Sequence, residues 1–251
     1  MRDFKTMDQK PDNAYAKEYY DTQVEALAGS YTDARWHSSV VGEFDHRQTS
    51  RALDTALGTS TYATAVEIGP GDAVWTKKLR ERVSGRIHLV EQSLEMLSKA
   101  QAHLSGVSDI TFERADFIES NPPTGNDLVF AIRCLEYFAD KPAALKKMHS
   151  LLRGGGRVII VTKNAKFLTG ENSQRKKIHA GQVTRGEMVR LLKDAGFAVE
   201  GVFPATLRWK AAFAPARVFF DFVHRVALFG LRIPFFDPYA TESYAYIARR
   251  V

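Results

Sequence analysis

The sequence predicts an α/β fold built on a doubly wound sheet of seven strands. From about residue 60 onward, short apolar, β-branched runs alternate with helical patterns, which is typical of a parallel sheet covered by helices on both faces. The run at 127–132 is apolar after its first residue, as in a strand buried on both faces. The glycine-rich turn Gly69-Pro70-Gly71 directly follows the first run. Such turns bind nucleotides at the carboxyl end of a strand.

The strands and helices follow one another in a regular order. The strands are predicted at 63–68, 86–90, 110–114, 127–132, 157–162, 197–203 and 243–248. The helices between them are predicted at 73–83, 93–104, 140–152 and 184–196. Ser93 and Asp140 are suitable N-caps, and Thr184 with Glu187 forms a capping box. The glycines at 154–156 are expected to end the third helix.

Residues 1–60 form a separate, helical segment. Helices are predicted at 14–27 and 44–57, each ending at a glycine. The loop between them contains Tyr31, Trp36 and His37. The chain therefore divides into a helical extension and an α/β domain at 61–251.

Composition and charge narrow the class of protein. The 251 residues are 45% hydrophobic and 25% charged, as in a folded globular protein. The single cysteine, Cys134, excludes a disulfide framework and a cysteine zinc site, and we expect a cytoplasmic location. The N-terminus lacks the apolar core of a signal peptide, and no apolar run predicts a spanning helix. A net charge of +6 is compatible with binding of nucleic acid, anionic lipid or an anionic substrate. It is equally compatible with a basic surface that serves only to keep the protein in solution.

The residues around the glycine turn indicate which nucleotide binds. The dinucleotide pattern G-x-G-x-x-G has valine, Val74, at its third glycine position. Glu67 lies two residues before Gly69, where a carboxylate can accept hydrogen bonds from an ammonium group. NAD has no such amine, whereas the methionine half of S-adenosylmethionine (SAM) has one. The turn therefore favours SAM over NAD.

Five segments extend this interpretation to a family. They are EIGPGDA at 67–73, HLVEQS at 88–93, ERADF at 113–117, DLVFAIRCLEYF at 127–138 and LLRGGGRVIIVT at 151–162. In order and spacing the chain resembles the class I SAM-dependent methyltransferases, especially the type 11 group that includes quinone-biosynthesis enzymes. Ala73 replaces the last glycine of the first motif. The resemblance covers about residues 60 to 200 and implies a Rossmann-like sheet, SAM as cofactor and an N-terminal helical lid at 1–60.

The resemblance implies a set of cofactor-binding residues. Gly69, Pro70 and Gly71 let the backbone approach SAM without a Cβ clash. Glu91 is expected to bind both ribose hydroxyls, and Asp116 to accept from the adenine amino group.

Four further residues complete the expected SAM site. Glu67 is expected to bind the ammonium group, Gln92 to border the adenine, and the Phe117 amide to donate to a ring nitrogen. Arg133 could pair with the SAM carboxylate or a substrate anion, or form a surface salt bridge. No pair of histidines has metal-ligand spacing, so no metal is expected.

The acceptor is less well defined. Candidate bases are His37, the first choice because it lies in the lid, with His46 and His179. Glu136 and Tyr137 could hydrogen-bond an acceptor hydroxyl. The Asn-Pro-Pro-Thr segment at 121–124 precedes strand four and lacks the aromatic residue of amino-methyltransferases, so it predicts only a turn.

Two insertions bear on the acceptor. The segment 163–183 is basic and could bind phosphate or an acidic sugar, or be a solvated loop. The insertion at about 204–241 contains a predicted helix whose apolar face carries Phe219, Phe222, Val223 and Val226. With the aromatic and basic residues around it, this helix fits an anionic membrane surface, a lipid acceptor tunnel, or a packed cap or homodimer contact.

We therefore predict a SAM-dependent methyltransferase that methylates an oxygen of a small-molecule or lipid-linked acceptor, in the cytoplasm or at the membrane periphery. Two alternatives stay open. An RNA methyltransferase is favoured only by the basic pI near 9.3, so nucleic acid is not the expected partner. A SAM-fold partner subunit without catalysis would keep the same binding motifs.

Overall fold

Seven strands form one mixed sheet in the computed structural model, which describes residues 21–22, 31–167, 181–207, 214–228 and 237–251. The strands are β1 (Ala65–Ile68), β2 (Ile87–Glu91), β3 (Ile110–Arg114), β4 (Asn126–Ile132), β5 (Leu152–Lys163), β6 (Phe197–Leu207) and β7 (Thr241–Arg250). Their order across the sheet is β3-β2-β1-β4-β5-β7-β6. The seven-stranded, doubly wound fold predicted from the sequence is confirmed.

Seven α-helices accompany the sheet in the described part of the chain. They are α1 (Val40–Leu57), α2 (Thr76–Arg80), α3 (Leu94–His103), α4 (Lys141–Leu151), α5 (Arg185–Asp194), α6 (Ala214–Leu228) and α7 (Asp237–Ala240). A π-helical turn, Asp33–His37, precedes α1, and a 3-10 turn, Leu135–Tyr137, follows β4. The helix expected at 14–27 lies largely outside the described residues.

The sheet reverses direction once. Strands β1 to β5 pair in parallel, but β7 runs antiparallel between β5 and β6. The parallel pairing of β1 to β5 is as predicted, whereas the apolar pattern of β7 carries no information about its direction. The chain order also reverses beside β1, which pairs with β2 on one side and β4 on the other. Ligands in such sheets bind at the carboxyl ends of these strands.

Alternating side chains of the central strands enter two apolar cores. Leu89 and Phe130 pack on one face with Leu53 of α1 and Leu79 of α2. The opposite face is built by residues of β1, β4, β5, α4 and α5, among them Met148, whose side chain is fully buried. Burying each large side chain contributes about 1.5–3 kcal/mol, so both faces hold the strand ends in fixed positions.

The predicted helix starts are confirmed by their caps. Ser93 Oγ accepts from the Met96 amide at 3.2 Å, and Asp140 Oδ1 accepts from the Ala143 amide at 2.8 Å. Thr184 forms the complete capping box with Glu187. These short polar side chains satisfy amide groups that a first helical turn leaves without partners.

Several helix limits differ from the prediction, among them the start of α1 at Val40 rather than at 44. The helix after the glycine turn covers Thr76–Arg80 rather than 73–83, because Ala73 has a φ of 67° and cannot begin a right-handed helix. Helix α4 ends at Leu151, and β5 then runs through all three glycines at 154–156. Gly155 has a φ of 73°, and the pairing of β5 with β4 shifts register between Leu152 and Arg157, so the glycines form an irregular turn within β5, just after the helix has ended.

Of the alternatives left open for the insertion helix α6, packing of its predicted apolar face on the domain is not what the structure has. Phe219 and Phe222, which were predicted to lie on that face, are 56% and 64% exposed. Phe220 and His224 are buried instead. Among the described residues, no helix is both long and apolar enough to cross a bilayer.

Candidate functional site

A cavity lies at the carboxyl ends of β1, β2 and β4, under the N-terminal segment. Its lining includes nine residues that the sequence predicted: Gly69, Pro70, Gly71, Glu91, Gln92, Asp116, Phe117, Arg133 and Tyr137. The pairing register of β1, β2 and β4 explains why these residues lie close together, because Ile68 pairs with both Val90 and Ala131. The residues that follow these strands therefore emerge side by side.

The glycine turn has a backbone that favours glycine. Gly69 and Gly71 have φ values of 62° and 60°. A Cβ on Gly69 would lie 2.8 Å from the Cβ of Cys134, whereas a Cβ on Gly71 would meet nothing within 4 Å. Gly69 is thus required by packing as well as conformation. The turn also holds Ala73 in the same left-handed region, so this alanine occupies a conformation suited to the family's glycine.

Glu91 links the end of β2 to the glycine turn. Its Oε2 accepts from the Gly71 amide at 3.1 Å, and its Oε1 accepts from the Ser93 amide at 2.9 Å. Burial raises the pKa of this carboxyl to about 7, although hydrogen bonds from three backbone amides, those of Ser93, Gly71 and Gln92, oppose the increase. The side chain is therefore fixed in the cavity wall as an acceptor, as binding of a ribose requires.

Glu67 lies outside the cavity lining. Its carboxyl is 1% exposed, and Oε2 accepts from Thr76 Oγ1 at 2.7 Å. Burial raises its pKa to about 8; the Thr76 hydrogen bond opposes this, and the charge of Glu91 adds to it. The contact predicted between Glu67 and a ligand ammonium stays a prediction. In the structure this residue joins β1 to the first residue of α2.

The opposite wall of the cavity follows β3. Asp116 and Phe117 both line it. Asp116 Oδ1 accepts from the Ile118 amide at 2.8 Å, so the carboxylate also closes a turn. The Phe117 ring packs edge-on against Phe138 at 5.8 Å between centroids. Together they give this wall one carboxylate and one aromatic ring.

Charged side chains gather at the other end of the cavity. Arg133, which has a φ of 60°, lies 3.6 Å from both Glu136 Oε1 and Glu242 Oε1. Lys163 Nζ lies 3.5 Å from Glu242 Oε1. Burial lowers the pKa of the guanidinium, but the two glutamates outweigh this effect and raise the pKa. Arg133, Lys163 and Glu242 line the cavity, and we call them with Asp45 the polar end.

Glu136 does not line the cavity. It is fully buried, and its Oε2 accepts from Thr162 Oγ1 at 3.0 Å. Its Oε1 has no hydrogen-bond donor in the described residues and faces Arg133. The structure therefore places Glu136 behind Arg133, where it positions the guanidinium, whereas its neighbour Tyr137 reaches the cavity.

Sequence reasoning missed two carboxylates of the polar end. Asp45 lies on α1 and is 5% exposed, and Glu242 is the second residue of β7 and is 3% exposed. A signal for Asp45 was present, because an acid on the buried side of an amphipathic helix is costly without a role. Glu242 had no such signal, since its contact with Lys163 depends on the antiparallel pairing of β5 and β7.

The predicted base His37 is not brought to the cavity. It is exposed, and its ring contacts His46 at 5.2 Å. Its neighbour Trp36 faces inward and lines the cavity with Trp75, at 5.8 Å between ring centroids. His46 stacks on Trp75 at 4.9 Å, and burial, with the nearby His37 and Lys78, lowers its pKa. These histidines support the aromatic wall, and His179 lies outside the described residues.

The N-terminal segment is tied to the glycine turn. Asp72 Oδ2 accepts from both the amide and the hydroxyl of Thr32, at 2.7 and 2.6 Å. Asp21 also contacts Ser93 through a hydrogen bond from the Ser93 hydroxyl. Tyr31, Arg35 and Trp36 of this segment line the cavity. The segment therefore covers the site in the described part of the chain.

Two further expectations from the sequence concern metal ligands and the basic segment after β5. Among the residues that the structure describes, no three His, Cys, Asp or Glu side chains are grouped to hold a metal ion. Of the basic residues predicted after β5, Lys163 is buried in the polar end and Lys166 is exposed. Residues 168–180 lie outside the described ranges.

The sequence is similar to a family of methyltransferase domains and to a transposon protein. The profile of a methyltransferase domain family matches residues 65–156. A 37.1 kDa protein from a transposon of Streptomyces fradiae is 28% identical over 179 residues, which cover 66% of this chain and 51% of that protein. The chain thus spans about half the length of this curated relative.

Two solved structures share the fold. The N-methyltransferase NodS from Bradyrhizobium japonicum, in complex with S-adenosylhomocysteine, has a TM-score of 0.65 at 12% identity, over 94% of this chain and 98% of NodS. The geranyl diphosphate C-methyltransferase from Streptomyces coelicolor has a TM-score of 0.63 at 13% identity, over 98% of this chain and 100% of that chain. These structures bind the same cofactor product and act on different acceptor atoms.

Proposed function

The chain carries a class I SAM-dependent methyltransferase domain, and from that premise we propose that it methylates a hydroxyl oxygen of a small-molecule or lipid-linked acceptor. The observation that carries the proposal is that buried carboxylates of the polar end line the same cavity as the glycine turn. A hydroxyl acceptor must lose a proton when it is methylated, and a carboxylate can accept it. Asp45 and Glu242 are the carboxylates in that position.

The residues present fit SAM. The left-handed glycines leave open space over Gly71, where a ligand can approach the backbone. Glu91 presents its carboxyl to the cavity for the ribose hydroxyls, and Asp116 and Phe117 border the space for the adenine. When bound, SAM supplies a methyl group already activated by its sulfonium sulfur.

The chain itself then has three tasks. Trp36 and Trp75 exclude water from the cavity with their buried rings. Arg133 and Lys163 hold a polar or anionic part of the acceptor, and Tyr137 orients its hydroxyl. Asp45 or Glu242 takes up the proton. This assignment replaces His37 as the base, because that side chain is exposed outside the cavity lining.

The first experiment separates cofactor binding from acceptor chemistry. Calorimetric titration of the chain with SAM, S-adenosylhomocysteine and NADH should give micromolar binding of the first two and none of the third. Asp116→Ala with Glu91→Ala should abolish binding without unfolding the protein. If neither SAM nor its product binds folded protein, the proposal fails and a non-catalytic partner subunit becomes the better interpretation.

The second experiment identifies the accepting atom. Candidate acceptors, lipid-linked phenols and sugars included, are incubated with SAM carrying an isotope-labelled methyl group, and the product is analysed by NMR. The chemical shift of the transferred methyl separates a bond to oxygen from one to nitrogen or carbon. Labelling on nitrogen or carbon, as in the two solved relatives named above, would contradict O-methylation. Labelled RNA would instead support the nucleic-acid alternative.

A further inference from the structure

The inner face of α6 is firmly attached to the domain. Phe220 is 8% exposed, and its carbonyl accepts from Gln48 of α1. His224 is fully buried and lies 3.2 Å from the Pro204 carbonyl of β6. Arg51 of α1 forms an ion pair with Asp221. These contacts fix the rotation of the helix about its own axis.

That rotation leaves an apolar stripe on the outside. Val218, Phe219 and Phe222 are 73%, 56% and 64% exposed. Pro215 is also exposed, and Val226 continues the same face one turn beyond Phe222. Their spacing of three and four residues places them along one side of the helix. Two exposed phenylalanines in one such stripe exceed the scattered apolar side chains of an ordinary surface.

The charged side chains of α6 are mainly positive. The described helix contains two arginines, Arg217 and Arg225, and one acid, Asp221. Asp221 is paired with Arg51 and with Arg225, so its negative charge is neutralised. Arg225 remains 61% exposed at the edge of the stripe. The whole chain has a net charge of +6. An apolar stripe bordered by the exposed Arg225, on a chain with a net positive charge, is complementary to an anionic lipid surface.

We propose that the outer face of α6, formed by Pro215, Val218, Phe219, Phe222 and Val226, docks on an anionic bilayer. The phenylalanines enter the boundary between headgroups and acyl chains, and Arg225 stays at the level of the phosphates. The helix lies in the plane of the surface and does not cross it. This inference goes beyond the proposed function, because lipid binding requires neither SAM nor methyl transfer.

The docking face is connected to the cavity through one helix. Gln48 and Arg51 of α1 hold α6, and Asp45 of the same helix lines the polar end one turn away. Helix α1 therefore links the docking face to the polar end of the cavity. A lipid-linked acceptor could reach the site from that surface.

The test is vesicle flotation of the full chain without SAM or acceptor. Phosphatidylcholine vesicles are compared with vesicles that also contain phosphatidylglycerol. The wild type should float with the mixed vesicles, and its binding should weaken as salt rises. Phe219→Ser with Phe222→Ser should reduce binding by about tenfold or more, since it removes two inserted rings. Both side chains are exposed, so the fold should be retained, and circular dichroism checks this.

The matched control removes two exposed apolar side chains elsewhere. Val40→Ser with Ile118→Ser changes side chains that are 57% and 40% exposed, and should leave flotation unchanged. Ile118 follows β3, at the opposite edge of the sheet from β6, on which α6 packs. Equal loss in the control would overturn the assignment to α6. Absence of flotation, or a wild-type dimer that Phe219→Ser with Phe222→Ser dissociates, would overturn the lipid surface as the occupant.

Discussion

The Gly71 backbone amide donates a hydrogen bond to Glu91 Oε2 across 3.1 Å. The second oxygen of the same carboxyl accepts from the Ser93 amide. The glycine turn after β1 and the residue that ends β2 are thereby joined before any ligand binds. Glu91 is thus a structural acceptor, and in the proposed function the same carboxyl would also contact the cofactor, so its protonation state would affect both roles.

Binding of the cofactor's nucleoside half should depend on pH through Glu91. A carboxylate accepts from two ribose hydroxyls, whereas a protonated carboxyl does so poorly. With a pKa of about 7, the group loses its charge as pH falls through that value. We expect the affinity for adenosine, which lacks the titrating methionine half, to fall about tenfold from pH 8 to pH 6. Calorimetry measures this, and Glu91→Gln should bind weakly with a flat profile; a flat wild-type profile would refute the role.

Glu67→Gln should stabilise the ligand-free protein above neutral pH. The folded-state pKa of about 8 exceeds the ordinary value of 4.5, so the folded chain holds this proton longer than the unfolded chain. Stability from this group is therefore lost as pH rises from about 4.5 to 8. The amide cannot ionise and can still accept from Thr76. Chemical denaturation should show a gain of about 2 kcal/mol at pH 8 and little change at pH 5.

Asp127→Asn is the control, because its effect on the stability of the protein at pH 8 should have the opposite sign. Arg153 and the amides of Ala63 and Thr64 hold the pKa of Asp127 below its ordinary value, although partial burial opposes them. This carboxylate therefore adds stability above the unfolded pKa and loses it as pH falls. The asparagine should destabilise the protein at pH 8. Equal responses of the two variants would show that the buried charge of Glu67 is not the cause.

Gly69→Ala should destabilise the fold more than Gly71→Ala. Both alanines would take a left-handed conformation, which costs about 1 kcal/mol. Only the Cβ at position 69 also meets the Cβ of Cys134, at 2.8 Å. Such overpacking costs a further free energy of about 1–3 kcal/mol. Thermal unfolding compares the two variants. The alanine at position 71 should instead weaken SAM binding, so equal melting temperatures would contradict the packing argument.

Thr32→Val should release the cofactor product faster. The valine keeps the shape of threonine but removes the hydroxyl donor that Asp72 accepts at 2.6 Å. Loss of a hydrogen bond to a charged acceptor should raise the dissociation rate of S-adenosylhomocysteine about fivefold or more. Stopped-flow fluorescence of Trp36 and Trp75 follows release. Thr55→Val, whose exposed hydroxyl bonds only within α1, should leave the rate unchanged; an unchanged rate for Thr32→Val would exclude a lid role.

The grouping of side chains around the glycine turn could largely be predicted from the sequence. The sequence shows three local features: the glycine turn after β1, an acid at the end of β2 and an acid after β3. Because these strands pair in parallel, the three features must lie at the same edge of the sheet. The start of β3 at Ile110 and its end at Arg114 also agree with the predicted limits. Glu67 shows the limit of this reasoning, because a motif gives a residue's position along the strand and not which neighbour its carboxyl contacts.

The sequence by itself determined the order of the elements, their caps and the residues beside the glycine turn, because these depend on local backbone preferences and on strand pairing. Only the tertiary structure decided which side chains form the polar end and which face of α6 is exposed. Asp45 and Glu242 reach the cavity through helix packing and an antiparallel pairing between distant segments. The amphipathic pattern of α6 fixes two faces, but Phe220 and His224, held by α1 and β6, decide that its apolar stripe points outward.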